Sequence, residues 1–170
     1  DITILSMHTN MDNARGGVNF KMAEKMQLTG VKFFTEKQVD GITCGSGVMG
    51  ELPGAMAADD FIMMLKREFD VECVQCNQLL RRPIRTVAIC GGAGSFLLPE
   101  AIAAGADAFV TGEMHYHDYF AHEQEIQIAV IGHYQSEQYT YEIFKSIIEE
   151  QCEGVRCVVT SQNTNPIIYL

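Results

Sequence analysis

A chain of 170 residues, 47% of them hydrophobic, is long enough to form one globular domain with its own core. Its formal net charge of −10 argues against nucleic acid as the main partner, because phosphate binding needs clustered Lys and Arg. No apolar run approaches the ~18 residues that would span a membrane. Nine methionines and six cysteines in no disulfide-like framework indicate the cytoplasm.

Apolar periodicity predicts alternating strands and helices in the first half of the chain. The predicted elements are a strand over 2–7, a helix over 18–28, a strand over 31–34, a helix over 56–69 and a strand over 71–75. Between them, the segment 41–54 holds five glycines and a proline, which predicts a turn-rich excursion with short β pieces.

The same alternation continues in the second half. We predict a strand over 86–90, a helix over 96–104, a strand over 107–110, a helix carrying His115, His117 and His122, a strand over 126–131, a helix over 134–151 and a strand over 155–160. Strands separated by helices are typical of βα units. The sequence therefore predicts an α/β fold with a mixed, largely parallel sheet flanked by helices.

Two cysteine- and glycine-rich motifs each have a structural and a functional interpretation. The glycine-rich turn 91–95 follows a predicted strand, so its N–H groups could surround an anion. It lacks the sequence of a nucleotide-binding loop, and glycines that permit a tight strand–helix crossing explain it equally well. Cys73 and Cys76 form a single CxxC, which is more typical of two semi-buried thiols than of a redox centre or a zinc site.

Carboxylates and imidazoles follow three of the predicted strands. His133 and Glu137 lie four residues apart where a helix begins, His8 and Asp12 follow the first strand, and the segment 113–117 follows a third. Such groups gathered at strand ends would suit divalent metals. The simpler alternatives are a surface His–Glu pair on a helix and an aspartate that caps a turn.

Several short motifs occur in one order along the chain and together resemble a known family. They are HTNMD at 8–12, GGVN at 16–19, CGGAGS at 90–95, TGEMHYH at 111–117, IGHYQSE at 131–137 and NTNP at 163–166. This set is similar to the Nif-like dinuclear-metal-centre family, whose members are often labelled GTP cyclohydrolase 1 type 2 homologues. The resemblance extends from about residue 2 to residue 170.

The resemblance implies a two-domain α/β fold, a toroidal hexamer and a pair of divalent metal ions in each subunit, with zinc, manganese or iron as candidates. Carried over by motif, it makes Asp12, His133 and Glu137 metal ligands, and Asp12 and Glu137 could each bridge two metals. It places His8 and His117 beside the site, in contact with the ligands or the substrate. It assigns no catalytic residue and no organic cofactor.

The sequence departs from the family pattern in two places. The family uses a consecutive His-His pair from an upstream segment, and this sequence has no such pair. Because the chain also begins with Asp1, we expect one dinuclear-metal-centre domain over 1–170 that is the C-terminal part of a longer protein. Some relatives carry an inserted small domain where this chain has only residues 34–44, so we expect no insert.

Two functions are compatible with these observations. The first is a metal-dependent hydrolase, in which two cations would activate water. The second is a metal-containing hexameric scaffold or regulatory binding protein without catalysis.

Overall fold

The computed structural model describes residues 2–169, which form a six-stranded mixed sheet with helices on both faces. The strands are β1 (Thr29–Val39), β2 (Ile42–Met56), β3 (Gln75–Cys76), β4 (Ile84–Cys90), β5 (Ala108–Thr111) and β6 (Gln127–Val130). The helices are α1 (Thr9–Asp12), α2 (Val18–Lys25), α3 (Ala58–Glu68), α4 (Leu98–Ala103), α5 (His133–Glu137) and α6 (Thr140–Gln151), with short 3-10 turns at Ser95–Leu97 and Tyr116–Tyr119. Within residues 2–169, no helix is both long and apolar enough to cross a membrane.

The strand order is β1-β2-β4-β5-β6-β3, and the three central strands β4, β5 and β6 run parallel. The outer strands β1, β2 and β3 are antiparallel to their neighbours. This arrangement confirms the prediction of an α/β fold with a mixed sheet flanked by helices. The parallel pairing is confined to the centre, where α4 connects β4 to β5 and a loop with one 3-10 turn connects β5 to β6.

The central strands are mostly apolar and buried because both of their faces are covered. In β4, Val87 and Ile89 face a core cluster that includes Phe61 of α3, while Ala88 faces a second cluster that includes Leu98 of α4. This alternation follows from the two-residue period of a strand. Burial of both faces explains why the strands predicted at 86–90, 107–110 and 126–131 appear in the sequence as continuous apolar runs.

The segment 41–54 is not the turn-rich excursion that its glycines predict, because most of it belongs to the 15-residue strand β2. Two of its glycines, Gly45 and Gly47, lie where side chains of β1 cross over it. A Cβ atom at Gly45 would lie 3.0 Å from the Cβ atom of Phe33, and one at Gly47 would collide with the Phe34 ring. The glycines therefore admit aromatic side chains of the neighbouring strand, a requirement that local turn propensity does not reveal.

The strands predicted at 2–7 and 155–160 are wrong, since neither segment forms a strand. Both are extended and exposed, with Ile4 88% and Val158 79% accessible. A strand needs a neighbour to satisfy its backbone hydrogen bonds, and neither segment pairs with the described sheet.

Three further elements are shorter than predicted. The strand predicted at 71–75 reduces to Gln75–Cys76, and the helix predicted at 134–151 is divided into α5 and α6. The helix predicted around the three histidines is a single 3-10 turn followed by positive φ angles at Ala121 and Gln124. The Gln124 side chain bonds to the backbones of Leu79 and Arg81, and these tertiary contacts hold the segment as a loop.

Candidate metal centre

The carboxyl ends of β4, β5 and β6 lie side by side and carry the predicted functional motifs. Each end continues into a glycine: Gly91 after β4, Gly112 after β5 and Gly132 shortly after β6. Ligands of open α/β sheets bind at such an edge. The segment that begins with His133 therefore lies beside the glycine-rich loop that follows β4.

Close packing at this edge depends on the absence of side chains. Gly92 has a φ of +62°, and a Cβ atom there would collide with the Glu137 carboxylate and lie 3.4 Å from Nε2 of His133. A Cβ atom at Gly112 would lie 2.9 Å from the Cα atom of His133. The glycines thus allow the helix α5 to approach the ends of β4 and β5.

Three of the five N–H groups of the glycine-rich loop 91–95 are used within the protein. Gly91 donates to Asn19 Oδ1 at 2.8 Å, Gly92 to Ser136 Oγ at 2.9 Å and Gly94 to Thr111 Oγ1 at 3.2 Å. Donors committed in this way do not form an anion cradle. The geometry therefore favours the interpretation of a tight strand–helix crossing.

His133 is held between two carboxylates. Its Nδ1 atom lies 2.6 Å from Glu113 Oε1, and its Nε2 atom lies 3.5 Å from Glu137 Oε1. A carboxylate that accepts a hydrogen bond from Nδ1–H fixes the tautomer whose Nε2 lone pair is free. His133 thus presents a metal-capable nitrogen next to Glu137.

Asp12 reaches the same region through a short helix instead of through the predicted first strand. The buried side chain of Asn19 donates from Nδ2 to the Asp12 carbonyl oxygen at 3.0 Å, and its Oδ1 accepts from Gly91. Burial raises the pKa of the Asp12 carboxyl, while the charges of His8 and His133 lower this pKa in part. The Asp12 carboxyl is therefore close enough to the His133 imidazole for their charges to interact.

Glu137 shows the same balance of effects. Burial raises the pKa of its carboxyl, His133 opposes that shift, and the negative charge of Asp12 raises the pKa further. The two partly buried carboxylates therefore repel one another in the ionised state. A cation between them would relieve both the burial cost and this repulsion.

The remaining predicted residues lie in two different places. His8 precedes α1, is exposed, and is close enough to Asp12 and Glu137 to affect their pKa values. His117 lies in the turn Tyr116–Tyr119 and faces Asp118. Among residues 2–169, the metal-capable group whose ligand atoms all lie within 4.8 Å of one another is His115, His117 and Asp118, whereas Asp12, His133 and Glu137 are less tightly gathered.

Three further residues position the site: the sequence placed Glu113 among the metal-capable groups without assigning it this role, and it did not single out Asn19 or Ser136. Glu113 orients His133, Asn19 connects Asp12 to the glycine-rich loop, and Ser136 connects that loop to the His133 backbone by donating to its carbonyl oxygen at 2.8 Å. All three occur inside motifs that carry the family resemblance. Their roles depend on contacts between distant segments, which local patterns do not specify.

Two cavities flank His133. The first, of about 410 Å³, is also lined by Cys73, Glu113 and His115. The second, of about 790 Å³, is lined by Glu137, Tyr134 and the segment 159–167, which contains the NTNP motif. The site is therefore open to small molecules from two sides.

The thiols near these cavities differ in character. Cys90 is buried, and this burial together with the nearby charges of Asp12 and Glu137 raises the pKa of its thiol to about 12. Cys73 and Cys76 are exposed, not semi-buried as the sequence suggested. Although Cys76 is exposed, partial desolvation of its thiol by the surrounding protein and the nearby charge of Cys73 raise the pKa of that thiol.

Comparison with known proteins identifies relatives that match this sequence over most or all of its length. A Clostridium perfringens protein named GTP cyclohydrolase 1 type 2 homolog is 28% identical over 174 aligned positions, covering 100% of this chain and 65% of the relative. A Staphylococcus epidermidis protein of the same name is 33% identical over 130 positions, covering 74% of this chain and 35% of the relative. The chain thus spans about a third to two thirds of the length of these relatives.

Solved structures share the fold at lower sequence identity. The Staphylococcus aureus protein SA1388 superposes with a TM-score of 0.87 at 24% identity, covering 98% of this chain and 69% of that protein. A Bacillus cereus protein related to NIF3 superposes with a TM-score of 0.81 at 20% identity, covering 96% of this chain and 72% of that protein. The family profile Duf34/NIF3 (NGG1p interacting factor 3) matches residues 1–166, and the chain belongs to this family.

Proposed function

We propose that this chain contributes Asp12, His133 and Glu137 to a divalent-metal centre that supports hydrolysis. In the proposed centre, Asp12 and Glu137 would supply carboxylate oxygens that could be shared between two ions, and His133 would supply Nε2. Zinc, manganese and iron all accept carboxylate and imidazole ligands. His8 adjoins the centre, and His117 is proposed to act from outside the ligand set.

Two features of the donor groups support a cation at this place. The observation that carries the proposal is the proximity of two partly buried carboxylates whose pKa values are raised, together with an imidazole that Glu113 orients. The 3.5 Å between His133 Nε2 and Glu137 Oε1 is close to the ~3.4 Å edge of a tetrahedron with metal–ligand bonds of about 2.1 Å.

The hydrolytic part of the proposal rests on the chemistry of such centres and on the names of the relatives. Divalent cations bound there would lower the pKa of a water molecule and so supply a nucleophile. Glu113 would hold the proton on Nδ1 of His133 throughout, and the two cavities would admit the substrate. The name GTP cyclohydrolase 1 type 2 homolog suggests a cyclic amide or amidine bond as the target.

Among the described residues, the lining of both cavities includes no Lys or Arg. A triphosphate would therefore find no cationic side chain there, which favours a polar substrate without phosphate groups. We expect cyclic amides and amidines without phosphate groups to be better substrates than nucleotides.

A hydrolysis screen with added Zn²⁺, Mn²⁺ or Fe²⁺ tests this function. Wild-type protein should turn over at least one member of the set, and Glu137→Gln should abolish that turnover because it removes a ligand charge. Glu125→Gln, which alters the exposed carboxylate beside His122, is the control and should leave turnover unchanged. Equal activity in wild type and Glu137→Gln would exclude the proposed centre as the source.

The second function is a metal-containing scaffold that assembles as a homo-oligomer, a hexamer in the whole protein, and recruits partners without catalysis. It is favoured by the exposed apolar residues of the segments 2–7 and 155–169, which could pack against other subunits. A metal-loaded protein that oligomerises but turns over no compound in the screen would favour this alternative.

All six cysteines are free thiols, which supports the cytoplasm as the proposed compartment.

A further inference from the structure

We propose a second, mononuclear metal site formed by His115, His117 and Asp118, separate from the centre at Asp12, His133 and Glu137. These three residues lie within four positions of the sequence, around the turn Tyr116–Tyr119 that follows β5. The site is independent of the proposed function, because none of its ligands belongs to the first centre.

Each of the two imidazoles lies at a distance from one Asp118 oxygen that a small transition-metal ion would span. His115 Nδ1 lies 3.5 Å from Asp118 Oδ2, and His117 Nε2 lies 3.4 Å from Asp118 Oδ1. A tetrahedral ion with bonds of about 2.1 Å separates its ligand atoms by ~3.4 Å. One ligand atom from each residue can be chosen so that all three lie within 4.8 Å of one another. A small adjustment of the exposed rings would bring the three onto one ion.

The backbone holds the carboxylate in position before any ion binds. The His115 N–H group donates to Asp118 Oδ2 at 3.2 Å, and the Asp118 side chain is only 25% exposed. The two imidazole rings stack with their centroids 5.5 Å apart and their planes inclined by 16°. Two neighbouring rings and a fixed carboxylate form a partly preorganised set of ligands, which lowers the entropic cost of binding.

The ligand types define the class of ion. Two imidazoles with one carboxylate suit Zn²⁺, Co²⁺ or Ni²⁺, whereas Mg²⁺ and Ca²⁺ prefer sets of oxygen ligands. The His115 and His117 side chains are 77% and 78% exposed, so water can complete the coordination. We therefore expect a solvent-accessible ion that exchanges readily. Because His115 also lines the cavity of about 410 Å³ beside His133, this ion would lie at the edge of that cavity.

A titration in which the first centre has been removed tests the site. In protein carrying Asp12→Ala and Glu137→Ala, calorimetry with Zn²⁺ and visible absorption with Co²⁺ should detect one bound ion per chain. Adding His115→Ala and His117→Ala should weaken that binding by at least about tenfold, since two ligands are lost. Asp118→Asn should weaken it while retaining a similar side-chain shape. His122→Ala, which removes a histidine paired with Glu125, is the matched control and should have no effect.

Two results would overturn the proposal. One is the absence of Zn²⁺ binding in the folded Asp12→Ala, Glu137→Ala protein, and the other is binding that survives loss of both His115 and His117. If that background does not fold, as judged by circular dichroism, the imidazole NMR signals of wild-type protein provide the readout. Zn²⁺ should then shift the signals of both His115 and His117, and unchanged signals for these two rings would contradict the site.

Discussion

At His133, the contact with Glu113 determines which nitrogen of the imidazole ring is available to a metal. The Nδ1 atom lies 2.6 Å from a Glu113 oxygen, so the carboxylate orients the ring and increases the basicity of Nε2. Glu113→Gln keeps an oxygen that can accept a hydrogen bond but removes the negative charge. We expect it to weaken metal binding at this centre by about 10–100-fold.

The control for this substitution is Glu125→Gln, because Glu125 Oε2 makes a similar 2.7 Å contact with His122 away from the centre. Calorimetric titration of both variants with Zn²⁺ should separate them, provided that His115 and His117 are replaced by alanine in each. Equal affinities for Glu113→Gln and Glu125→Gln would show that the contact has no role in binding.

The raised pKa values of Asp12 and Glu137 predict in which direction the stability of the protein changes with pH. In metal-free protein, the folded state holds these protons more tightly than the unfolded state does. The free energy of unfolding should therefore decrease as pH rises from about 4 through the folded pKa values. Glu137→Gln removes part of this penalty, so metal-free Glu137→Gln should melt at a higher temperature than wild type at pH 7.

Thermal melts of chelator-treated protein between pH 4 and pH 8 measure this difference. Glu36→Gln, at an exposed position of β1, should melt as wild type does across that range. Added Zn²⁺ should reverse the order by stabilising wild type more than Glu137→Gln. A metal-free Glu137→Gln protein that is less stable than wild type at pH 7 would contradict the electrostatic account.

At the scale of elements, the approach of α5 to the loop after β4 depends on Gly92. Gly92 and Gly30 have nearly equal φ angles of +62° and +63°, but only at Gly92 would a Cβ atom meet another group, the Glu137 carboxylate. Alanine at either position should carry the backbone cost of about 1–2 kcal/mol for a left-handed conformation. Gly92→Ala should also displace Glu137 and weaken metal binding, whereas Gly30→Ala should leave metal binding intact.

Chemical denaturation of Gly92→Ala and Gly30→Ala measures the backbone strain that both substitutions introduce. A Zn²⁺ titration of the same two variants measures the displacement of Glu137, which only Gly92→Ala should cause. Circular dichroism at the titration temperature verifies that both variants are folded. If Gly92→Ala binds Zn²⁺ as tightly as Gly30→Ala, the close approach of the loop does not position Glu137.

The elements that the sequence predicted best are those whose pattern of apolar residues matches their burial in the folded protein. The apolar run 86–90 gave a strand that the structure confirms within Ile84–Cys90, because β4 is covered on both faces. The helix predicted at 56–69 is confirmed as Ala58–Glu68, with its apolar side buried against the sheet. In both cases the local pattern and the tertiary environment agree.

The failures share a dependence on contacts far away in the sequence. The glycines of β2 accommodate Phe33 and Phe34, and the loop after β5 is held by the hydrogen bonds of Gln124. For the candidate site, spacing related His133 to Glu137, the predicted strand ends added Asp12 as a candidate, and the family resemblance implied that all three are ligands. The part played by Glu113 emerged from the three-dimensional contact with His133.

At the scale of the whole molecule, exposed apolar side chains concentrate in the first and last described segments. Ile2, Ile4 and Ile168 are 93%, 88% and 80% accessible. Such side chains favour association with other protein surfaces. We therefore expect this chain to self-associate at micromolar concentrations in light-scattering measurements.

The double substitution Ile4→Lys and Ile168→Lys should shift the light-scattering mass toward that of a monomer. Met63→Lys is the control, because Met63 is 60% exposed on α3, away from both segments in the sequence. It should leave the mass unchanged. A wild-type chain that stays monomeric throughout the concentration series would show that these segments do not drive association.

The metal content of the purified protein tests the central claim most directly. The parent protein carries His115→Ala and His117→Ala, which leaves Asp12, His133 and Glu137 as the proposed ligands. After incubation with Zn²⁺ and exhaustive dialysis, elemental analysis should find at least one ion per parent chain and background levels once Asp12→Asn and Glu137→Gln are added. A parent protein without metal, or equal metal content in the two proteins, would contradict the account.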